Sequence, residues 1–190
     1  MKKIGITGGI GSGKSVISNI FRCLGIPTYD ADIASKGLIQ TNIRLQNSLK
    51  KLLGDDIFTG ESLNKAKMAQ LIFNDKALLA QVNTLIHPAV INDFLSWCEH
   101  QKSEIVACES ALLFESGMNK YVDKSITITA PIGTRIERCI KRDHATEEQI
   151  KARIANQISD EDRIKFSDYI IINDGRNAIL PQLWKILEQL

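Results

Sequence analysis

Proline, cysteine, histidine and aromatic side chains are all scarce in this chain of 190 residues: four Pro, four Cys, three His and 6% Phe, Trp and Tyr together. Each scarcity closes off a class of protein. Cys23, Cys98, Cys108 and Cys139 show no CxxC spacing, and His87, His100 and His144 form no HExxH pattern, so a structural zinc site has no support and the thiols are expected free and buried. The aromatics are too few, and the basic residues too evenly spread, for a nucleic-acid platform: 24 Lys and Arg face 22 Asp and Glu, a net charge of +2. No long apolar run occurs. The opening MKKIGIT holds too few apolar residues for a signal peptide or a membrane span, and a cytoplasmic location is the expectation.

What remains is ordinary soluble composition, 44% hydrophobic and 24% charged, in a length that suits one folding unit. Five short β-branched or apolar runs punctuate it: KIGIT at 3–7, TYDAD at 28–32, EIVAC at 104–108, SITIT at 125–129 and DYIII at 168–172. Each precedes a stretch with helical spacing of apolar residues. Strands alternating with helices imply parallel pairing and a sheet covered on both faces, an α/β three-layer sandwich whose ligands bind beyond the carboxyl ends of the strands.

Between the second and third runs, residues from about 33 to 102 read as helical, with no clear strand, a turn around Gly60 and a new helix begun at Pro88. Between the fourth and fifth runs lies a segment dense in charge. Thr146 with Gln149 and Ser159 with Asp162 have capping-box spacing and predict two helix starts. That segment is either a solvated hairpin laced with salt bridges or a mobile lid carrying arginines. The closing AILPQLWKILEQL has one apolar helical face, expected to pack on the sheet.

The most informative stretch is TGGIGSGKS, 7–15, in which Gly8, Gly13, Lys14 and Ser15 satisfy the P-loop pattern between a strand and a helix. Glycines let successive backbone N–H groups point at phosphate oxygens, and the following helix adds its positive end. Lys14 is expected to bridge the β- and γ-phosphates, and the Ser15 hydroxyl to ligate the Mg2+ that accompanies ATP. Neither N-K-x-D nor D-x-x-G is present, which argues against the common GTPases. Of the two acids that end the second strand, Asp30 and Asp32, one is expected to serve chemistry by orienting an attacking hydroxyl and taking its proton late.

Taken together, TGGIGSGKS, the DAD after the second strand, LIHP at 85–88, ALLFE at 111–115, and KRD…ARIANQ followed by DYIIINDG resemble the dephospho-CoA kinase family over nearly the whole chain. The resemblance implies a P-loop NTPase of the nucleoside monophosphate kinase-like kind, with a five-stranded parallel sheet. It implies transfer of the ATP γ-phosphate to the 3′-hydroxyl of dephospho-CoA. It makes 1–190 one kinase domain with a helical acceptor-side subdomain at about 33–102 and a lid at about 142–166. Catalytic roles would fall to Lys14, Asp32 and Arg142. ATP would rest on Gly9, Gly11, Ser12, Gly13, Lys14, Ser15 and Val16, with Asn173 and Gly175 beneath the adenine. The acceptor would meet Thr7, Asp32, His87 and Leu113; a helix N-cap before Pro88 explains His87 equally well. Partners are then ATP and dephospho-CoA, with no nucleic acid and no membrane, in a monomer or small homo-oligomer. Glu109 stands where the family usually has an aspartate, and neither its role nor that of Glu115 is assigned. Two rivals stay open: a nucleoside monophosphate kinase, disfavoured because 33–102 holds a single arginine, Arg44, and a non-catalytic nucleotide switch.

Overall fold

The computed structural model describes residues 1–60, 62–73 (Phe73 by its backbone) and 75–190. The first strand, β1 (Lys2–Thr7), is buried on both faces from Ile4 onward, as a central parallel strand must be. The glycine loop follows, then α1 (Lys14–Cys23), β2 (Thr28–Asp30), α2 (Ala31–Thr41) and α3 (Ile43–Leu53). Two two-residue strands, β3 (Phe58–Thr59) and β4 (Ser62–Leu63), precede α4 (Lys65–Phe73) and the long α5 (Lys76–Glu99). The chain continues through β5 (Ile105–Glu109), β6 (Lys124–Thr129), α6 (Ile132–Asp143), α7 (Glu147–Ala155), α8 (Asp160–Phe166), β7 (Tyr169–Ile172) and α9 (Ile179–Leu187).

Two compact units divide these elements: Met1–Tyr29 with Gln101–Leu190, and Asp30–His100. The first carries the five-stranded parallel sheet, in the order β2-β5-β1-β6-β7. Its register sets Ile4 beside Ala107, Ile6 beside Ile126 and Ile128 beside Ile171. Those side chains form one cluster with Ile17 and Phe21 of α1 and Leu183 and Ile186 of α9, so the apolar face of the closing helix does pack on the sheet. Burial of each large apolar side chain stabilises the unit by about 1.5–3 kcal/mol, far more than an exposed ion pair.

The second unit is organised on α5, against which α2, α3 and α4 pack. Val82, Ile86, Val90, Ile91, Phe94 and Cys98 are its buried positions, spaced so that one stripe of the helix faces inward. A cavity of about 480 Å³ opens among α2, α3 and α5, its lining including Leu38, Leu45, Leu85, Ala89, Arg44 and Asp93.

Several expectations are corrected. The second strand stops at Asp30, because that carboxylate accepts the Ile33 amide at 2.9 Å and caps α2. Strand structure does occur in the helical stretch: Phe58 pairs with Leu63 antiparallel, a ladder too short to leave any alternation in sequence. Pro88 begins no helix and lies inside α5, so His87 is not an N-cap. Losing one backbone bond there costs about 3 kcal/mol, which the buried stripe on both sides outweighs. Residues 61 and 74 of that stretch lie outside the described residues. Cys23 is exposed while Cys98, Cys108 and Cys139 are buried, and none of the four forms a disulfide among the described residues. Thr146 and Gln149 complete a reciprocal capping box; Ser159 caps α8, but its hydroxyl donates to the Asp162 carboxylate in place of the return bond.

Candidate active site

The glycine loop leaves the carboxyl end of β1, whose neighbours are β5 on one side and β6 on the other. There the chain order of the sheet reverses, the position at which open α/β sheets take their ligands.

Every carbonyl of the loop is turned onto a donor. Gly8 O accepts from Lys14 Nζ at 3.0 Å, Ile10 O from Arg135 Nε at 2.9 Å, Gly11 O from Arg138 Nη1 at 3.5 Å and Ser12 O from Asn173 Nδ2 at 2.7 Å. Gly9 O takes the Ser12 amide and Gly13 O the Val16 amide, each at 3.1 Å. In a trans peptide the N–H lies antiparallel to the C=O, so drawing a carbonyl outward aims the next amide inward. Among the described residues the amides of Gly11, Gly13 and Ser15 meet no acceptor. Such a nest of convergent amides at a helix start concentrates positive potential for an anion. The hydroxyls of Thr7 and Ser12 are buried and also lack a partner among the described residues. Buried hydroxyls are normally satisfied, and here a ligand or water must do it.

Gly13 shows why this position must lack a side chain. Its φ is 100°, and a Cβ there would stand 2.2 Å from Asn173 Nδ2. Asn173 is in turn placed by its own amide, donated to Thr129 O at 2.8 Å, and by Arg138 Nη2 on its carbonyl at 3.1 Å. Its side chain is therefore a brace of the loop. Gly175, at φ 82°, lies in the loop after β7. Ser15 and Val16 are exposed in the first turn of α1.

The charged segment between β6 and β7 splits into an inward and an outward set. Arg135 is buried, pairs with Asp160, and lays its guanidinium against Gly9. Arg163 is also buried; it donates to Asp160 Oδ1 at 2.8 Å and faces Glu115 at 3.9 Å. Burial pushes the Arg163 guanidinium below its ordinary range, against the pull of Glu115 and Asp160. Glu115 accepts the Ile158 amide at 3.0 Å, and Phe114 meets Phe166 edge-on with centroids 5.7 Å apart. ALLFE thus anchors the start and end of α8. Gln157, from ARIANQ, accepts the Ile10 amide at 3.0 Å. Arg142 is outward: its fork grips Asp143 at 2.7 and 3.0 Å, a bond that raises its affinity for the proton and lowers that of Asp143.

Other expected residues are placed as follows. Leu113 is fully buried, its side chain against Gly5 and thus in the core. Glu109 is buried at the carboxyl end of β5, opposite Ile6 in the register. In the second unit Asp32 is exposed in the first turn of α2, where its charge suits the helix start, and His87 is half-buried on α5. The structure separates the two acids of DAD: Asp30 is the cap, Asp32 is not.

Sequence reasoning missed Arg135, Arg138 and Gln157. A signal existed for the first: Arg135 falls one turn before Cys139 and beside Ile136, on the buried face of α6. A charge in an apolar register is a charge with a partner.

Residues 2–178 match the family model described as Dephospho-CoA kinase. A dephospho-CoA kinase of Bacteroides fragilis is 41% identical over 97% of this chain and 91% of its own length. A solved structure from Thermus thermophilus superposes with a TM-score of 0.87 at 29% identity, covering 100% of this chain and 97% of the other. A dephospho-CoA kinase structure from Campylobacter jejuni, 24% identical with a TM-score of 0.70 over 100% and 97% of the two chains, shares the fold.

Proposed function

The chain belongs to the dephospho-CoA kinase family, and from that premise we propose how its residues share the work of moving a phosphoryl group. The enzyme transfers the γ-phosphate of ATP to the 3′-hydroxyl of dephospho-CoA. The observation that supports the assignment of roles is the loop itself, with the carbonyls of Ile10, Gly11 and Ser12 drawn out by Arg135, Arg138 and Asn173 and the amides of Gly11, Gly13 and Ser15 left for phosphate oxygens.

In this reading the loop amides hold the phosphate chain and Lys14 follows the charge that builds on the transferring group. Arg142 exchanges its exposed pair with Asp143, worth about 0–1 kcal/mol, for a γ-phosphate oxygen as the 142–166 segment closes as a lid. Closure excludes water, which would otherwise compete with the acceptor hydroxyl. Asp32 orients that hydroxyl and accepts its proton as the phosphoryl group arrives; a carboxylate is too weak a base to remove it earlier. The second unit, with His87, takes the acceptor. Asn173 acts through Ser12 and sets the loop beside which the adenine rests.

Magnesium fits as an ion that arrives with ATP. Among the described residues no group of three or more His, Cys, Asp or Glu could hold a metal, while Ser15 offers one exposed hydroxyl. That donor set suits a hard ion that keeps phosphate oxygens and waters as its other ligands. When bound, it would neutralise charge on the β- and γ-oxygens. No described helix is long and apolar enough to cross a membrane, and we place the enzyme in the cytoplasm.

The test is ADP release from magnesium-ATP with dephospho-CoA, AMP, CMP or dTMP as acceptor, in wild type and Asp32→Asn. Dephospho-CoA alone should support fast release, and the variant should lose about 10²–10⁴ in kcat with ATP affinity kept. Equal kcat in the variant removes Asp32 from the chemistry.

A further inference from the structure

Resting on the reading of the loop as the ATP site, we infer that Arg135 and Gln157 are positioning residues for ATP, because together they hold both backbone polar groups of Ile10. Arg135 Nε donates to Ile10 O at 2.9 Å, and the Ile10 amide donates to Gln157 Oε1 at 3.0 Å. The two bonds constrain two successive peptide planes. With Ile10 O held outward, the Gly11 amide in the same plane points to the opposite side. With the Ile10 amide held by Gln157, Gly9 O is turned toward the Ser12 amide, which it accepts at 3.1 Å. The crest of the loop is therefore set from outside, by side chains 125 and 147 positions further along the chain.

Arg135 is poorly explained as a structural ion pair. The Arg135 side chain is 2% exposed and that of Asp160 39%, and burying a charge to make such a pair is seldom more stabilising than apolar residues of the same volume. What an apolar side chain cannot do is donate in two directions at once. Arg135 pairs with Asp160 through one end of the fork and reaches Ile10 O with Nε, while Nη2 lies where a Gly9 Cβ would come within 2.2 Å. The glycine at 9 is the space that lets the guanidinium lie flat on the loop. Asp160 also receives Arg163, which faces Glu115, so the set of the arginine is tied to the base of α8. Gln157 stands between α7 and α8, and its Nε2 donates to Ala111 O at 3.4 Å. Movement of the α7–α8 arm accordingly reaches Ile10 through two bonds, neither of which touches phosphate.

The experiment compares wild type, Gln157→Met, Arg135→Lys and the double variant by calorimetric titration with ATP, steady-state kinetics with both substrates varied, and thermal unfolding. Met keeps the length of Gln157 without its amide, leaving only a weakly accepting sulfur. Lys keeps a charge for Asp160, but all its donors sit on one nitrogen and cannot take the separate places of Nε on Ile10 O and Nη1 on Asp160. Each single variant should raise the Kd and KM for ATP about tenfold, the loss of one hydrogen bond's worth of preorganisation, with KM for dephospho-CoA unchanged. The double variant should be little worse than either single one, since both release the same residue. Variants with a lowered Tm but ATP Kd and KM within twofold of wild type would show the contacts to be merely structural and overturn the proposal. Gln157→Met alone decides the matter if substitution of Arg135 prevents folding. Wild type that fails to bind magnesium-ATP would instead refute the reading of the site, an outcome distinct from variants that bind as wild type does.

Discussion

Glu115 closes the ALLFE segment and holds the base of α8 through Ile158 and Arg163, so its removal should destabilise that base measurably. In Glu115→Ala two interactions go: the bond from the Ile158 amide at 3.0 Å and the approach of Arg163 Nη2 at 3.9 Å. A backbone hydrogen bond to a charged acceptor contributes about 1.5–3 kcal/mol when its partner is not left to water. The ion pair has a gross Coulomb energy of about 4 kcal/mol at an effective dielectric near 20, but Glu115 is partly exposed and Arg163 keeps Asp160 at 2.8 Å, so most of that is offset. A net loss of about 2–3 kcal/mol follows for alanine. Glu115→Gln keeps an oxygen for the Ile158 amide and loses only the charge, about 1 kcal/mol. For a chain of this size these correspond to falls in Tm of roughly 5–10 °C and 2–4 °C. Urea unfolding and calorimetric scans of the three proteins measure both, and limited proteolysis should show cleavage between α7 and α8 rising in the same order. Alanine and wild type within about 0.5 kcal/mol of each other would refute the reasoning, since the Arg163 pair and the amide bond would then contribute nothing.

Two further perturbations probe other links. Gly13→Ala forces a side chain into left-handed backbone at φ 100° and into Asn173, 2.2 Å away, so ATP binding should weaken at least tenfold; in an Asn173→Ala background the same change should cost less, and strict additivity of the two in a binding cycle would count against the clash. Asp168 joins β6 to β7 by accepting Lys124 Nζ at 2.9 Å and the Ser125 amide at 2.8 Å. Burial alone would raise its pKa, but the bonds from Lys124 and Ser125 outweigh that and hold it below the ordinary carboxylate value. A depressed folded pKa contributes stability that is complete above the unfolded value, about 3.9, and is lost as pH falls through the folded one. Asp168→Asn should therefore lower stability by about 1 kcal/mol at neutral pH and flatten its decline below about pH 4, as urea midpoints across pH 2.5–7 would record. A variant whose acid slope equals that of wild type would show that Asp168 is not the group responsible.

Much of this protein was legible locally. Strand, glycine loop and helix occur in an order that hydrophobic period and turn chemistry reveal by themselves, and so do the five strands of the sheet and the Thr146 box. Those features depend on residues a few positions apart, whose mutual geometry the backbone dictates. The DAD pair shows where local reading ends, because the division of labour between Asp30 and Asp32 turned on the single residue at which α2 begins. Pro88 shows the same from the other side: its local rule was overruled by a buried stripe that forms only when α2, α3 and α4 gather on α5.

The contacts that shape the loop lie further off still. Nothing near Ile10 in sequence announces Arg135 or Gln157, and nothing near Glu115 announces Ile158 and Arg163. A polar side chain's partner is chosen by where the packed sheet and helices carry it, and desolvation there makes an unpaired charge too costly to leave. The motif by itself carried the expectation that a phosphate chain is held; which loop carbonyls are drawn aside was decided only when residues over a hundred positions apart were folded together.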